Sequence, residues 1–361
     1  MKKILALIIL ISVNLHSITK DEKNFLQAAK EGNINKVKKL LDLGIDVNIK
    51  NEGLNTALIL ASFKGHIEIV RELIDAGADV NIKNEGGNTA LMYASDSGYT
   101  EIVKELIKSG ADINIQNEDG YTALIWASFE GHIETVRELI QAGANVNFNI
   151  KDDVGITALM FASDSGYTEI VKELIKAGAN INIQDNKYGW TALMRASFEG
   201  HIEIVRELIK AGANINIQNK YGDTALMLVL LQDIIEEDFK DIIKEDIIKI
   251  VRELIKDGAD VNIQNENGYT ALMLASSKDH IEIVKELIKA GVNINLKDKN
   301  DKTALDYAKE VGNNDIVDFL SKKGEITRNN NEKTLIIILS LYLIPISILI
   351  FYLMKKIKMI S

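Results

Sequence analysis

Asn186–Ile217 reads NKYGWTALMRASFEGHIEIVRELIKAGANINI. Gly189 supplies a turn ahead of Thr191, and Thr191 sits where a helix N-cap is wanted. Ala192–Phe198 predicts a short helix whose small residues, Ala192 and Ala196, admit a close neighbour. Gly200 ends it. Ile202–Lys210 predicts a second helix, with Ile204, Val205, Leu208 and Ile209 on one apolar face and Glu203, Arg206 and Glu207 on the other. Gly212 suits the left-handed backbone after a helix end, and Asn214–Gln218 runs extended into the next turn. Neither helix reaches the roughly 12 residues at which an isolated helix becomes marginal. Each must therefore bury its face against another copy of the unit.

Copies are present. Thr-Ala-Leu begins at Thr56, Thr89, Thr122, Thr157, Thr191, Thr224, Thr270 and Thr303, with spacings of 33, 33, 35, 34, 33, 46 and 33 residues. A fixed period of this length signals a repeat array whose stability is a sum of neighbour interfaces. Met92–Asn147 and Met160–Asn214 are near copies, so a block of two units was duplicated.

The pattern resembles the ankyrin repeat. That family's motif runs Gly-x-Thr-Pro-Leu-His-x-Ala-Ala-x-x-Gly-His, then a second helix, then Gly-Ala-Asp-x-Asn. Here it reads Gly120-Tyr-Thr-Ala-Leu-Ile-Trp-Ala-Ser-Phe-Glu-Gly-His132, with Gly143-Ala-Asn-Val-Asn147 after the helix. The resemblance implies an all-α solenoid of about nine repeats over 20–324, helix-turn-helix units joined by β-hairpin-like fingers. Two departures are systematic. The family proline is alanine in every Thr-Ala-Leu unit, and the family histidine after leucine is Ile59, Met92, Ile125, Met160, Met194, Met227, Met273 or Asp306. The Thr–His hydrogen-bond network of the family is therefore expected to be missing or replaced by apolar packing.

The ends of the array read as caps: Asp21–Asp46 lacks Thr-Ala-Leu and is rich in lysine, and Asn300–Lys323 carries Asp306, Lys309, Asn313 and Asn314. One unit holds about 13 extra residues, an acidic insertion near 230–247 whose isoleucines and Phe239 keep helical spacing. It is expected to lengthen helices with an acidic outer side, or to offer a lateral contact for a basic partner.

Outside the array, residues 1–19 contain MKKILALIILISV, two lysines before an apolar run too short to span a bilayer, which predicts a signal peptide or short hydrophobic leader. After a linker at 325–333, Thr334–Met354 reads TLIIILSLYLIPISILIFYLM, 21 uncharged residues that predict a transmembrane helix. The basic tail 355–361 suits the cytoplasmic side. A single-pass protein with extracytoplasmic repeats is expected. The alternative is a tail-anchored protein with cytoplasmic repeats.

Composition narrows the chemistry. The chain has no cysteine, which excludes disulfides, thiolate metal sites and cysteine nucleophiles. Residues 20–324 carry 35 basic against 50 acidic residues, a field that repels a phosphate backbone, so no nucleic acid is expected. His66, His132, His201 and His280 each occupy the Gly-His slot or its Asp-His variant, and are read as capping or packing residues of their own repeats. No phosphate loop, nucleophile elbow or zinc spacing occurs, so no enzyme, cofactor, metal or small-molecule substrate is expected.

Binding has positive support. In ankyrin-like arrays the fingertips and first helices line a concave face, and here those positions hold Phe63, Tyr93, Tyr121, Trp126, Phe129, Phe161, Trp190, Arg195, Phe198 and Tyr269. Tyr, Trp and Arg dominate interface energetics. The expected function is a membrane-tethered scaffold that binds a protein partner of unknown identity. The alternatives are an envelope spacer without a ligand, and an accessory inhibitor or protector of a neighbouring enzyme.

Overall fold

The computed structural model describes residues 18–150, 154–231 and 240–324. The predicted leader, the linker, the transmembrane segment and the tail lie outside these residues, apart from Ile18 and Thr19. Among the described residues no helix is long and apolar enough to cross a membrane.

The chain forms two compact units that divide between Asp246 and Ile247. In the first, short helices alternate: Lys20–Glu31 and Ile34–Asp42, Ala57–Lys64 and Ile67–Asp75, Ala90–Asp96 and Thr100–Lys108, Ala123–Phe129 and Ile133–Gln141. The series continues with Ala158–Asp164 and Thr168–Lys176, Ala192–Phe198 and Ile202–Lys210, then Ala225–Leu231. First helices pack on neighbouring first helices and second helices on second helices. The second unit repeats the scheme with Ala271–Ser277, Ile281–Lys289, Ala304–Glu310 and a helix over 314–324.

Each first helix begins at its threonine. The Thr122 side chain accepts the Ile125 N–H at 3.2 Å, and Thr56, Thr89, Thr157, Thr191 and Thr270 do the same for the residue three ahead. Such a cap stabilises a helix by about 1 kcal/mol. The threonine half of the family network thus survives without the histidine, and Ile59, Met92, Ile125, Met160 and Met194 fill the other half as buried apolar groups. In the last unit Asp306 closes a reciprocal box, its carboxylate accepting from the Thr303 N–H at 2.9 Å and hydroxyl at 2.7 Å.

Packing follows the small residues. Ala61, Ala94, Ala127, Ala162 and Ala196 are fully buried between first helices, while Leu73, Leu106, Leu139, Leu174 and Leu208 are fully buried on the inner sides of second helices. Asparagines tie the stack: Asn48, Asn81, Asn114, Asn147 and Asn182 each accept a backbone N–H from the next unit at 2.7–2.9 Å. On the outer side, Arg71–Glu105 (3.3 Å) and Arg137–Glu173 (3.0 Å) link successive second helices. These pairs are solvated, so solvent screens them and they add little to stability.

Two expectations change. The fingers are not strand pairs: the described residues hold no β-strand, only an isolated bridge between Asn149 and Thr157. Each finger is instead a tight turn, as where the Asn117 N–H donates to the Tyr121 carbonyl, tied to its neighbour by one backbone bond such as Glu118 N–H to Gly86 O. There is too little extended backbone for a ladder. The histidines, second, stand at the N-cap of their own second helices as expected, but the side chains of His66, His132 and His201 bond the preceding repeat. His132 Nε2 lies 2.9 Å from the Asp96 carbonyl, and His201 Nε2 lies 3.0 Å from the Asp164 carbonyl. Both span the end of the previous first helix, where carbonyls lack intrahelical partners. Gly98, at φ +71°, leaves room for this: a Cβ there would stand 2.6 Å from the His132 ring.

The acidic insertion is described only in its second half, where Lys240–Lys256 forms one helix of 17 residues against 9 for Ile202–Lys210.

Candidate protein-binding face

Two positions of each unit carry the candidate residues. Four after the N-cap threonine stand Leu60, Tyr93, Trp126, Phe161, Arg195 and Leu228, and in the second unit Leu274 and Tyr307. Seven after it stand Phe63, Asp96, Phe129, Asp164, Phe198 and Leu231. One helical turn separates the two positions, so both lie on one side of the first helix.

The rings gather in separate clusters. Phe63 meets Tyr93 edge-on at 5.4 Å, and the Tyr93 hydroxyl accepts from the Asn84 amide at 2.9 Å. Tyr121 stacks on Trp126 at 4.3 Å, Phe129 meets Phe161 at 5.0 Å, and contacts of 6.3 Å from Tyr121 to Phe161 and Trp126 to Phe129 join the four. Trp190 contacts Phe198 at 5.1 Å and Tyr188 at 6.4 Å. Tyr269 packs on Tyr307 at 5.6 Å in the second unit. Phe63 and Phe129 are about two-fifths exposed, and the other predicted rings are half-buried.

Arg195 differs from its expected role. It is buried, with 9% exposure, and its guanidinium donates to Asp185 at 2.8 Å and Asp164 at 3.2 Å. Asp185 is wholly enclosed and also accepts the Tyr188 and Gly189 N–H groups. The arginine therefore neutralises the fold's own acids and sits 5.9 Å from the Trp190 ring centre. Its charge is not available to a partner.

Sequence reasoning missed Tyr188, Tyr221 and Tyr307. Tyr307 holds the same register as Tyr93 but lies in a unit read as a cap, and its hydroxyl donates to Asp298 at 2.6 Å. Tyr221 is 54% exposed on a fingertip, where no periodicity flags it.

Finger residues form a second ladder. Asn84 and Asn117 each accept a backbone N–H four residues on, and donate their amides to Asn55 and Asn88, 29 residues earlier, at 3.0 and 2.9 Å. Asn219 likewise accepts from the Asp223 and Tyr221 N–H groups. Its counterpart 29 residues earlier is Trp190, which has no acceptor, and the Asn219 amide N–H, the Trp190 indole N–H and the Arg195 Nε–H are all buried without partners. Each unmet buried donor costs about 1–3 kcal/mol. The three residues line one pocket of about 370 Å³.

The edge of the face is acidic. Burial, reinforced by Glu130, pushes the Asp96 carboxyl up. Burial, reinforced by Asp164, does the same for Glu199. Like charges kept close favour an incoming positive group. Among the described residues no three histidine or acidic side chains cluster as metal ligands.

Paired short helices stacked by N-capped threonines and inter-unit asparagines define a helical-repeat solenoid protein. Models of ankyrin repeats match residues 25–117, 109–185 and 241–330, and a single ankyrin repeat matches 188–220, which together cover well over half of the chain. The chain belongs to the ankyrin repeat family. No curated protein matches it at significant similarity. Ankyrin repeats are in general non-enzymatic modules of protein–protein interaction.

Proposed function

We propose that this chain is a membrane-tethered scaffold of about nine repeats that holds a protein partner on its fingertips and first helices. One observation carries the reading. The position seven after the N-cap holds Phe63, Phe129 and Phe198 in some units and Asp96 and Asp164 in others. A site that accepts aspartate does not need phenylalanine for folding, yet Phe63 and Phe129 stand exposed there. Solvent-facing rings that the fold does not require are the residues an interface uses.

The tether rests on sequence alone. Thr334–Met354 has the length and composition of a membrane span, and the apolar leader favours repeats outside the cytoplasm with the tail inside.

Site-specific photocrosslinking in intact cells tests the binding reading. A photoreactive residue at Phe129 or Tyr121 should give a discrete protein adduct, and one at Lys104 on the outer side should not. Equal or absent adducts at all three positions would leave a spacer. Protease added before and after each membrane is opened, with a tag between Gly324 and Lys333, reads the topology. Repeats cut only after the inner membrane is lysed would show the tail-anchored form.

A further inference from the structure

The pocket at Trp190 has features the other aromatic clusters lack. It is walled by Tyr188, Trp190, Phe198, Tyr221, Leu228 and Leu231, rings and aliphatic side chains around about 370 Å³. That volume accepts one large apolar side chain. The Asn219 amide cannot turn its N–H away, because its oxygen already accepts the Tyr221 and Asp223 N–H groups at 2.9 and 2.8 Å. Asn219 is 6% exposed, and its amide N–H and the Trp190 indole N–H are both buried, so the two donors are held deep in the wall. These donors gain a partner only when an incoming acceptor displaces the groups over them.

The surroundings select the acceptor. Arg195 is already paired with Asp185 and Asp164, and Glu199 adds a further acid against Asp164. A carboxylate would meet four acids, Asp164, Asp185, Glu199 and the pocket-lining Asp223, against Arg195 and the fingertip Lys187 and Lys220, whereas a neutral main-chain carbonyl is indifferent to that balance. Flanking lysine or arginine would meet Asp164, whose side chain is 41% exposed. Resting on the assignment of this face to protein binding, we propose that the pocket takes an apolar side chain from an extended basic segment of the partner. A main-chain carbonyl of that segment accepts from the Asn219 amide and the Trp190 indole. Main-chain hydrogen bonds and a side-chain pocket are the usual division between affinity and specificity in peptide recognition.

The test uses the full chain in detergent and capped pentapeptides Gly-Lys-Xaa-Lys-Gly, read by fluorescence anisotropy. Xaa as leucine or phenylalanine should bind roughly tenfold tighter than alanine, and glutamate flanks should abolish binding. Asn219→Asp is a sound variant because Asp185 and Asp298 hold the same finger position. It removes the donor, so it should weaken a peptide with uncharged glutamine flanks roughly fivefold or more, and a cooperative thermal melt, even with a lowered midpoint, checks that the array stays folded. Trp190→Ala should lose the leucine preference, and Lys104→Ala should bind as the parent does. No preference for leucine over alanine, or unchanged binding by both Asn219→Asp and Trp190→Ala, would overturn the pocket. If binding survived in those two and vanished in Phe129→Asp, the pocket would fall and the protein-binding face would stand. Photocrosslinks at Phe129 without any peptide binding would likewise remove the pocket and keep the face, and absence of both would sink both readings.

Discussion

The indole of Trp126 lies flat on the phenol ring of Tyr121, with centroids 4.3 Å apart and planes 18° from parallel. One ring comes from a finger and the other from the first helix that follows, so the stack fixes the finger against the helix. Such a pair is worth about 0.5–1.5 kcal/mol beyond its buried area. A double-mutant cycle of Tyr121→Ala and Trp126→Ala, read by urea unfolding, should return a coupling of about that size. A coupling near zero would show that the rings stack without holding the finger.

Arg195 and Asp185 form an enclosed ion pair, with 11% and 0% side-chain exposure. Arg195→Met leaves a buried carboxylate without its cation and should cost about 3–5 kcal/mol. Adding Asp185→Asn should restore most of that loss, because asparagine fills this slot at 84, 117 and 219. Equilibrium unfolding of the single and double variants decides; an additive double would mean that the two do not act as a pair.

The hydroxyls of Ser62, Ser95, Ser128, Ser163, Ser197 and Ser276 are buried with no hydrogen-bond partner. They stand where the family motif has alanine. Ser128→Ala should therefore stabilise the array by about 1 kcal/mol, from relief of the unmet hydroxyl and better helix propensity. A lowered urea midpoint would mean the hydroxyl has an acceptor in solution.

His132 reaches back to the Asp96 carbonyl, and Tyr99 and Tyr167 occupy the same N-cap slot in alternate units. His132→Ala should lose about 1 kcal/mol, and His132→Tyr should lose less. Gly98→Ala should cost more than His132→Ala, since it strains a left-handed backbone and collides with the imidazole. Thermal melts of the three variants in parallel provide the ranking.

Acid should act oppositely on two groups of carboxylates. Burial pushes Asp298 up, but hydrogen bonds from the Tyr307 hydroxyl and the Lys302 and Asn300 N–H groups outweigh it and hold the carboxyl below its ordinary value. The Thr303 N–H and hydroxyl likewise lower Asp306. A depressed folded value means stability that is full above the unfolded value and lost as pH falls through the folded one. Tyr307→Phe removes one donor, so acid unfolding of the second unit should begin at a higher pH, and carboxyl NMR should show Asp298 titrating higher. Asp96 and Glu199 have the opposite sign: their raised values mean that protonation favours the folded state. Asp96→Asn and Glu199→Gln should each raise the neutral-pH melting temperature, and a fall in either would contradict the argument from burial and repulsion.

Much of the array is legible in the chain itself. Thr122 before Ala123, Gly131 before His132 and the Val136–Leu139 stripe follow from capping chemistry, glycine backbone freedom and helical periodicity, all of which act within a dozen residues. Local rules of that reach set the helices, their ends and their buried faces. Their period then requires stacking, because no single unit can bury its own core.

Relationships between residues 29 to 37 positions apart arise only from stacking. Nothing near His132 announces that it bonds the Asp96 carbonyl one repeat earlier. Arg195 reads as an interface residue by type, yet Asp185 in the finger ahead of its own helix and Asp164 at the end of the preceding first helix close it off. Asn219 carries the same side chain as Asn117, and only the replacement of Asn88 by Trp190 in the facing position leaves its amide without an acceptor. Residue order alone thus makes the chain a stack of ankyrin units. Which polar groups find partners across a repeat boundary is settled by the folded array, because satisfaction of a hydrogen bond or a charge depends on distance in space and not on position along the chain.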